Sequence, residues 1–284
     1  MIVLDGGLAT ELEARGHDLS DALWSARLLA DDPLAIVAAH EAFFRAGAQV
    51  ATTASYQASF AGFAARGFDG RQTSVLLRRS VELARKAAAG GARWVAASIG
   101  PYGATLADGS EYRGRYGLSV AELTAFHRPR AEVLAEAGPD VFALETVPDV
   151  DEAVAMLAAV EGLGVPSWLS FTISGDRTRA AQPLEEAFAV AAGRDDVIAV
   201  GVNCCDPDDA ARAIPLAREV SGKPVIAYPN SGEEWDAATR RWAGRATYAP
   251  ERVAGADLAG GCCRVSPDAI RVLATTHVSE TPGH

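Results

Sequence analysis

No run of about 18 residues in this chain is free of charge, so nothing in it is expected to span a membrane. Met1 runs straight into Ile2-Val3-Leu4-Asp5. A charged leader, an apolar core and a small-residue cleavage site are all missing there, so no secretory signal is expected and the expected location is cytoplasmic. Basic residues are in the minority, 26 against 37 acidic, and they are nowhere clustered enough to neutralise phosphates. That excludes a nucleic-acid partner. The net charge of −11 is compatible with a cationic substrate, although acidic totals mostly reflect a solvated surface. Cysteine is scarce: the four present are scattered or adjacent, unlike a secreted disulfide framework. In a cytosolic enzyme such cysteines more often bind metal or act in catalysis. Neither GxGxxG nor GxxxxGK[ST] occurs, so Gly6-Gly7 is not a phosphate loop. There is no linker and no fixed short repeat, which leaves residues 1–284 as one expected domain.

Short apolar, β-rich runs alternate with longer amphipathic ones from end to end. Strands are expected at 2–4, 48–53, 94–99, 141–144, 167–173, 197–202, 224–228 and 257–259. Helices are expected at 33–46, 71–89, 119–137, 149–162, 184–192, 208–220 and 267–274. Ser119 and Glu122 have the spacing of a capping box. Eight strands, each followed by a helix or a loop and helix, point to a (β/α)8 TIM-type barrel, with a doubly wound open sheet as the alternative. Residues 102–116 form a long polar loop carrying aromatics, expected to act as a lid. Residues 242–257 are short for a full connecting helix, and 175–183 lack an Asp-Gly turn.

The polar residues of interest each follow a strand. In a barrel this collects Asp5, Thr52, Thr53, Glu145, Cys204, Asn230, Cys262 and Cys263 at one mouth, where barrel active sites lie. Cys204 ends strand six, and Gly260-Gly261-Cys262-Cys263 ends strand eight. Three thiolates leave one open position on a tetrahedral Zn²⁺ and keep the ion electron-rich. A thiol entering that position loses its proton but stays nucleophilic, which suits alkylation of a thiol better than activation of water. Two other readings stand beside this one: cysteines that merely pack, and a Cys262–Cys263 redox pair. Cys205 is one residue out of phase with Cys204 and is expected to pack.

Asp5 and Glu145 could bind a substrate ammonium, act as general base, or cap a helix or pair with Arg. A metal-bound thiolate needs no base, which favours ammonium recognition. Tyr56, Tyr102, Tyr112, Tyr116, Tyr228 and Trp235 stand at loops or strand ends, where ring faces attract a sulfonium or quaternary ammonium; packing under loops is the alternative for each.

Taken together, these segments resemble the homocysteine S-methyltransferases of the S-methylmethionine-dependent branch. The resemblance rests on Asp5-Gly6-Gly7-Leu8-Ala9-Thr10-Glu11, Thr53-Ala54-Ser55-Tyr56-Gln57, Asp108-Gly109-Ser110-Glu111-Tyr112-Arg113-Gly114, Phe126-His127-Arg128-Pro129-Arg130 and Glu145-Thr146-Val147-Pro148. It continues through Gly201-Val202-Asn203-Cys204, Tyr228-Pro229-Asn230-Ser231-Gly232-Glu233 and Gly260-Gly261-Cys262-Cys263-Arg264. It spans the chain and implies a barrel with zinc on Cys204, Cys262 and Cys263. Those three would carry the catalysis, with the homocysteine thiolate on zinc and its amino group near Glu145 and Asp5. Thr53, Asn203, Tyr228 and Ser231 complete the substrate-binding set that the resemblance implies. The expected reaction is methyl transfer from a sulfonium donor, S-methylmethionine or S-adenosylmethionine, to homocysteine, giving methionine. A betaine-type donor, or a zinc- and amino-acid-binding barrel without turnover, are the alternatives. The expected partners are the small-molecule substrates, homocysteine and the methyl donor, with no nucleic acid and no membrane.

Overall fold

The computed structural model describes residues 1–20, 23–88, 91–236 and 241–279. Eight parallel strands form one sheet: β1 (Ile2–Val3), β2 (Val50–Thr52), β3 (Trp94–Ile99), β4 (Val141–Val147), β5 (Ser167–Phe171), β6 (Val197–Asn203), β7 (Val225–Tyr228) and β8 (Leu258–Ala259). Each pairs with the next from β2 to β8, β8 pairs with β1, and a parallel bridge between Leu4 and Val50 joins β1 to β2. The sheet therefore closes into the expected (β/α)8 barrel. Principal helices on its outside are α1 (Leu8–Ala14), α2 (Pro33–Ala46), α3 (Gly70–Ala87), α4 (Val120–Glu136), α5 (Val150–Val160), α6 (Leu184–Ala189), α7 (Pro207–Ser221) and α8 (Pro267–Ser279).

Local chemistry sets these elements. Ser119 caps α4, with the Glu122 amide donating to its hydroxyl and Glu122 accepting from the Ser119 amide. Asp69 and Gln72 do the same for α3. Each such cap contributes about 1 kcal/mol. Gly47 and Gly222 end α2 and α7 at positive φ.

The barrel interior is filled by Leu4, Val50, Trp168, Ile226 and Leu258, with the small residues Ala96, Ala143 and Ala199 beside them. The indole of Trp168 is accommodated because the neighbouring inward positions are alanine. Gly201, in β6, is dictated by the same crowding: a Cβ there would collide with the Ile226 carbonyl oxygen in β7. Gly201→Ala is expected to push β6 and β7 apart and lower stability by about 1–3 kcal/mol. Urea unfolding measures it, and an unchanged midpoint would show that the two strands relax freely.

The structure corrects the expected bounds of the fifth strand and of the last helix, and fills the connection before β8, already short for a helix, in another way. The strand expected at 167–173 breaks after Phe171, and Ile173–Ser174 turns back to pair antiparallel with Arg177–Thr178. Gly175, at φ +61, supplies the first residue of that two-residue turn, so no Asp-Gly pair is needed. Between β7 and β8 a second hairpin, Glu234–Asp236 with Arg241–Ala243, replaces a connecting helix, followed by a single 3₁₀ turn, Pro250–Arg252. The final helix runs to Ser279, five residues past its expected end.

Candidate active site

The loop after β8 is shaped by backbone contact. A Cβ at Gly260 would lie 2.6 Å from the Asp5 carbonyl oxygen and the Leu4 Cβ, and one at Gly261 would collide with Val265. Two glycines therefore let the chain pass close to the end of β1 before presenting Cys262 and Cys263. The Cys262 amide donates to the Pro229 carbonyl at 2.7 Å, and the Cys263 amide to Asn230 Oδ1 at 3.1 Å. The Ser231 amide in turn donates to the Cys263 carbonyl at 3.0 Å. The end of β7 thus holds the two cysteines over the mouth.

Cys204 follows β6 with φ +49, and Thr146 follows Glu145 with φ +59; Arg264, next to Cys263, has φ +65. Each left-handed non-glycine costs about 1–2 kcal/mol and persists only where hydrogen bonds over-determine it. They do. Thr146 donates its amide to Asn203 Oδ1 at 2.7 Å, Cys204 accepts at its carbonyl from Thr172 Oγ1 at 3.1 Å, and Arg264 donates its amide to Thr10 Oγ1 at 2.8 Å.

The result is a cluster of three thiols. The Sγ atoms of Cys204, Cys262 and Cys263 lie within 4.8 Å of one another, and Cys204 and Cys263 are 3.8 Å apart. Metal–sulfur bonds of about 2.3 Å in a tetrahedron place the sulfurs about 3.8 Å apart. The donor set and its spacing therefore fit a soft metal ion. Hydrogen bonds from the Cys262 and Cys263 thiols pull the Cys204 thiol well below its ordinary range, while the other two are held up. Cys204 is buried; Cys262 and Cys263 are half-buried. Cys205 packs in the outer core, as its phase predicts.

Two carboxylates stand at the same mouth. Glu145, at the end of β4, accepts from Ser98 Oγ on one oxygen and from the Tyr228 hydroxyl at 3.0 Å on the other. Burial pushes its pKa up to about 8, against the pull of those two hydrogen bonds. Asp5 accepts from the Thr52 amide at 2.7 Å and the Thr52 hydroxyl at 3.0 Å, and burial pushes it up to about 7. Two buried carboxyl groups with no paired cation among the described residues are able to receive a positive charge.

The four other expected binding residues serve this framework. Tyr228 bridges Glu145, Ser170 Oγ and Trp168 Nε1. Thr53 Oγ1 accepts from the Ser98 amide and is hydrogen-bonded to Ser55, so it stands behind Ser98. Asn203 accepts from Thr146 and Ser170 and donates to Thr146 Oγ1 at 2.8 Å, so it locks the Thr146 turn. Ser231 Oγ donates to Glu233, which pairs with Arg264. Ser98 and Thr146 were not singled out from the sequence. Strand parity could have found Ser98: it shares the inward face of β3 with Ala96.

The loop at 102–116 lies over the mouth, as a lid would. Its two one-turn helices are Tyr102–Leu106 and Ser110–Tyr112. The Tyr112 hydroxyl donates to Cys204 Sγ at 3.8 Å, and Arg179 stands over the Tyr112 ring at 5.6 Å. Tyr102 packs instead on Tyr116 and Phe126 behind the loop. The base of the loop is fixed by a buried network: Arg130 donates to the Gly100 carbonyl, and Glu152 accepts from the Tyr102 amide and contacts His127. The side chain of Trp235 lies outside the described residues.

A closed parallel barrel with a thiol cluster and two raised carboxylates at the carboxyl ends of its strands defines an α/β-barrel enzyme with a candidate metal centre. The family model described as homocysteine S-methyltransferase matches residues 2–277. The chain is 45% identical to a homocysteine S-methyltransferase of Escherichia coli, over 96% of this chain and 94% of that one. It is 46% identical to homocysteine S-methyltransferase 4 of Zea mays, over 96% and 88% of the two chains. The metallated form of the E. coli homocysteine methyltransferase MmuM superposes with a TM-score of 0.84 at 43% identity, covering 97% of this chain and 96% of that one. The chain belongs to the homocysteine S-methyltransferase family. It is a methyltransferase that acts on a small molecule, moving a methyl group to homocysteine to give methionine. Among the described residues no helix is long and apolar enough to cross a membrane.

Proposed function

We propose that Cys204, Cys262 and Cys263 hold a zinc ion, that Glu145 and Asp5 receive the ammonium of homocysteine, and that the methyl donor is a sulfonium, S-methylmethionine foremost. The observation that carries this reading is the convergence of three thiols within 4.8 Å of one another, two of them 3.8 Å apart, at a mouth that also holds two buried carboxylates. Zinc on three thiolates would supply a soft Lewis acid that keeps an incoming thiol deprotonated yet nucleophilic. The chain's own residues do the rest. Ser98 and Tyr228 aim Glu145 by holding both its oxygens, and Thr52 aims Asp5. Thr53, Asn203 and Ser231 keep those groups and the cysteine turns in place. Tyr112 and the lid loop cover the thiols and exclude water, which would otherwise hydrate the attacking sulfur.

The transfer balances simply. The homocysteine sulfur gives an electron pair to the methyl carbon while the donor S–CH₃ bond breaks, its pair passing to the departing sulfur. With S-methylmethionine both products are methionine, and the proton of the homocysteine thiol, lost when the thiol becomes a thiolate, is released to solvent. The work of the protein is orientation, with the methyl carbon about 3–3.5 Å from the attacking sulfur. Residues 1–284 act here as a single homocysteine-binding barrel. Four free cysteines suit a reducing, cytoplasmic setting.

Methionine formation from homocysteine, measured with S-methylmethionine, S-adenosylmethionine and glycine betaine before and after chelation and zinc add-back, tests the reading. Zinc-dependent turnover with S-methylmethionine fastest is expected. Turnover that survives complete removal of metal overturns the zinc assignment, and betaine as best substrate overturns the sulfonium.

A further inference from the structure

Asp5 and Glu145 have each of their carboxylate oxygens engaged by Thr52, Ser98 or Tyr228. A third carboxylate at the mouth does not. Glu111, on the second one-turn helix of the lid loop, has an Oε2 that is enclosed and has no hydrogen-bond partner among the described residues. It sits next to Tyr112, whose hydroxyl touches Cys204 Sγ. The charged groups that act on it are Cys204 and Asp108, both anionic when ionised, and burial pushes its pKa up to about 7.

Its position is rigid. A Cβ at Gly103 would fall 2.6 Å from the Glu111 amide and from the Tyr116 hydroxyl, so the two halves of the loop are in backbone contact. The Ser110 carbonyl accepts from Tyr116 Oη at 3.3 Å, and Arg113 donates to Ser110 Oγ at 3.1 Å. Arg113 thus stays on Ser110 and does not offset Glu111. A carboxylate enclosed without a counter-charge is costly, and a ligand cation removes that cost. Glu145 stands at the end of β4 and Asp5 just after β1, whereas Glu111 is carried by the loop, next to the Tyr112 that touches Cys204.

We infer that Glu111 receives the positive charge of the methyl donor, and so sets donor specificity separately from homocysteine binding. This rests on the reading that the donor is a cation. A sulfonium amino acid carries positive charge on its ammonium and at the sulfur; glycine betaine carries it on a quaternary nitrogen. Each is a ligand for a carboxylate that adjoins Tyr112 in the chain and whose charge acts on Tyr56, two residues whose ring faces attract cations. One carboxylate on the loop and two in the barrel would let the two substrates be held by different elements.

Steady-state kinetics of zinc-loaded wild type and Glu111→Gln test this, with S-methylmethionine, S-adenosylmethionine and glycine betaine each varied against fixed homocysteine, and then homocysteine varied. Whichever donor the wild type uses, Glu111→Gln is expected to raise its KM by about 10- to 100-fold. The homocysteine KM and zinc content should stay at wild-type values, and Glu111→Asp should recover part of the loss. A merely structural role would move both KM values together, or lower zinc content, and would overturn the inference. So would a donor KM within about two-fold of wild type. If Glu111→Gln does not fold, Glu111→Asp is read by the same split between the two KM values. Should the wild type use none of the three cations, the cationic-donor reading falls and takes this inference with it. If it uses one and the variant is unaffected, only the assignment of Glu111 falls.

Discussion

Cys262→Ser is expected to lose bound zinc and to lower methyl transfer by at least about 1,000-fold. A serine hydroxyl is not a soft ligand and does not ionise readily, so the site would keep two sulfurs where the spacing suits three. The incoming homocysteine thiol would then remain protonated at neutral pH and attack poorly. The change is small in volume, and Cys262 is half-buried, so the fold should survive it. Cys205→Ser is the matched control. Its side chain packs in the outer core, one residue from the cluster, and the variant should keep zinc and activity at some cost in stability. Metal content by atomic emission and initial rates, measured on the same preparations, decide the matter. A zinc-replete and active Cys262→Ser would remove Cys262 from the centre.

Glu145→Gln should weaken homocysteine by an order of magnitude or more while leaving zinc in place. Glutamine preserves the shape and can still accept from Ser98, but it offers no charge to an ammonium. The same substitution should have an opposite effect on the empty protein. Burial raises the Glu145 pKa from its ordinary value to about 8, so between those values the folded chain holds a proton that the unfolded chain has released. Stability from this group is complete below the unfolded pKa and is lost as pH rises through about 8. Glutamine has no such loss. The metal-free variant should therefore gain stability over wild type as pH climbs from 5 to 8, by a few kcal/mol at order of magnitude. Urea midpoints across that range, paired with homocysteine titrations, test both halves. A pH-independent difference in stability would show that Glu145 is ionised in the folded protein.

The barrel was legible because its strands announce themselves locally. Runs such as Val141-Phe142-Ala143-Leu144 end in turn residues, and eight of them alternate with helices. The thiol centre was legible for a related reason: strand ends in a barrel converge, so Cys204 and Cys262-Cys263 could be paired without knowing any distance. What the sequence hid depends on long-range geometry. Asn203 and Thr53 look like mouth residues, yet their hydrogen bonds run to Thr146, Ser170 and Ser98, which only the closed sheet reveals. The hairpin after Phe171 was masked because Ile173 prolongs an apolar run, and the turn begins only at Gly175. Left-handed Cys204 and Thr146 carry no local marker, since neither is a residue that favours that conformation. Glu111 lay in a loop whose charge reads as solvent-facing until the packing against Gly103 is seen.

β8 is only two residues long, yet it lies between β1 and β7 and is followed at once by two of the three thiols. During synthesis the chain makes β1 first and β8 last, so β1 has one neighbour missing until translation is nearly over. Contacts so distant along the chain close slowly. A nascent chain ending anywhere before Leu258 has an open sheet edge and at most one of the three thiols of the centre, Cys204. Assembly of the three-thiol set and ring closure are therefore tied to the same late event, and a prematurely terminated product can achieve neither.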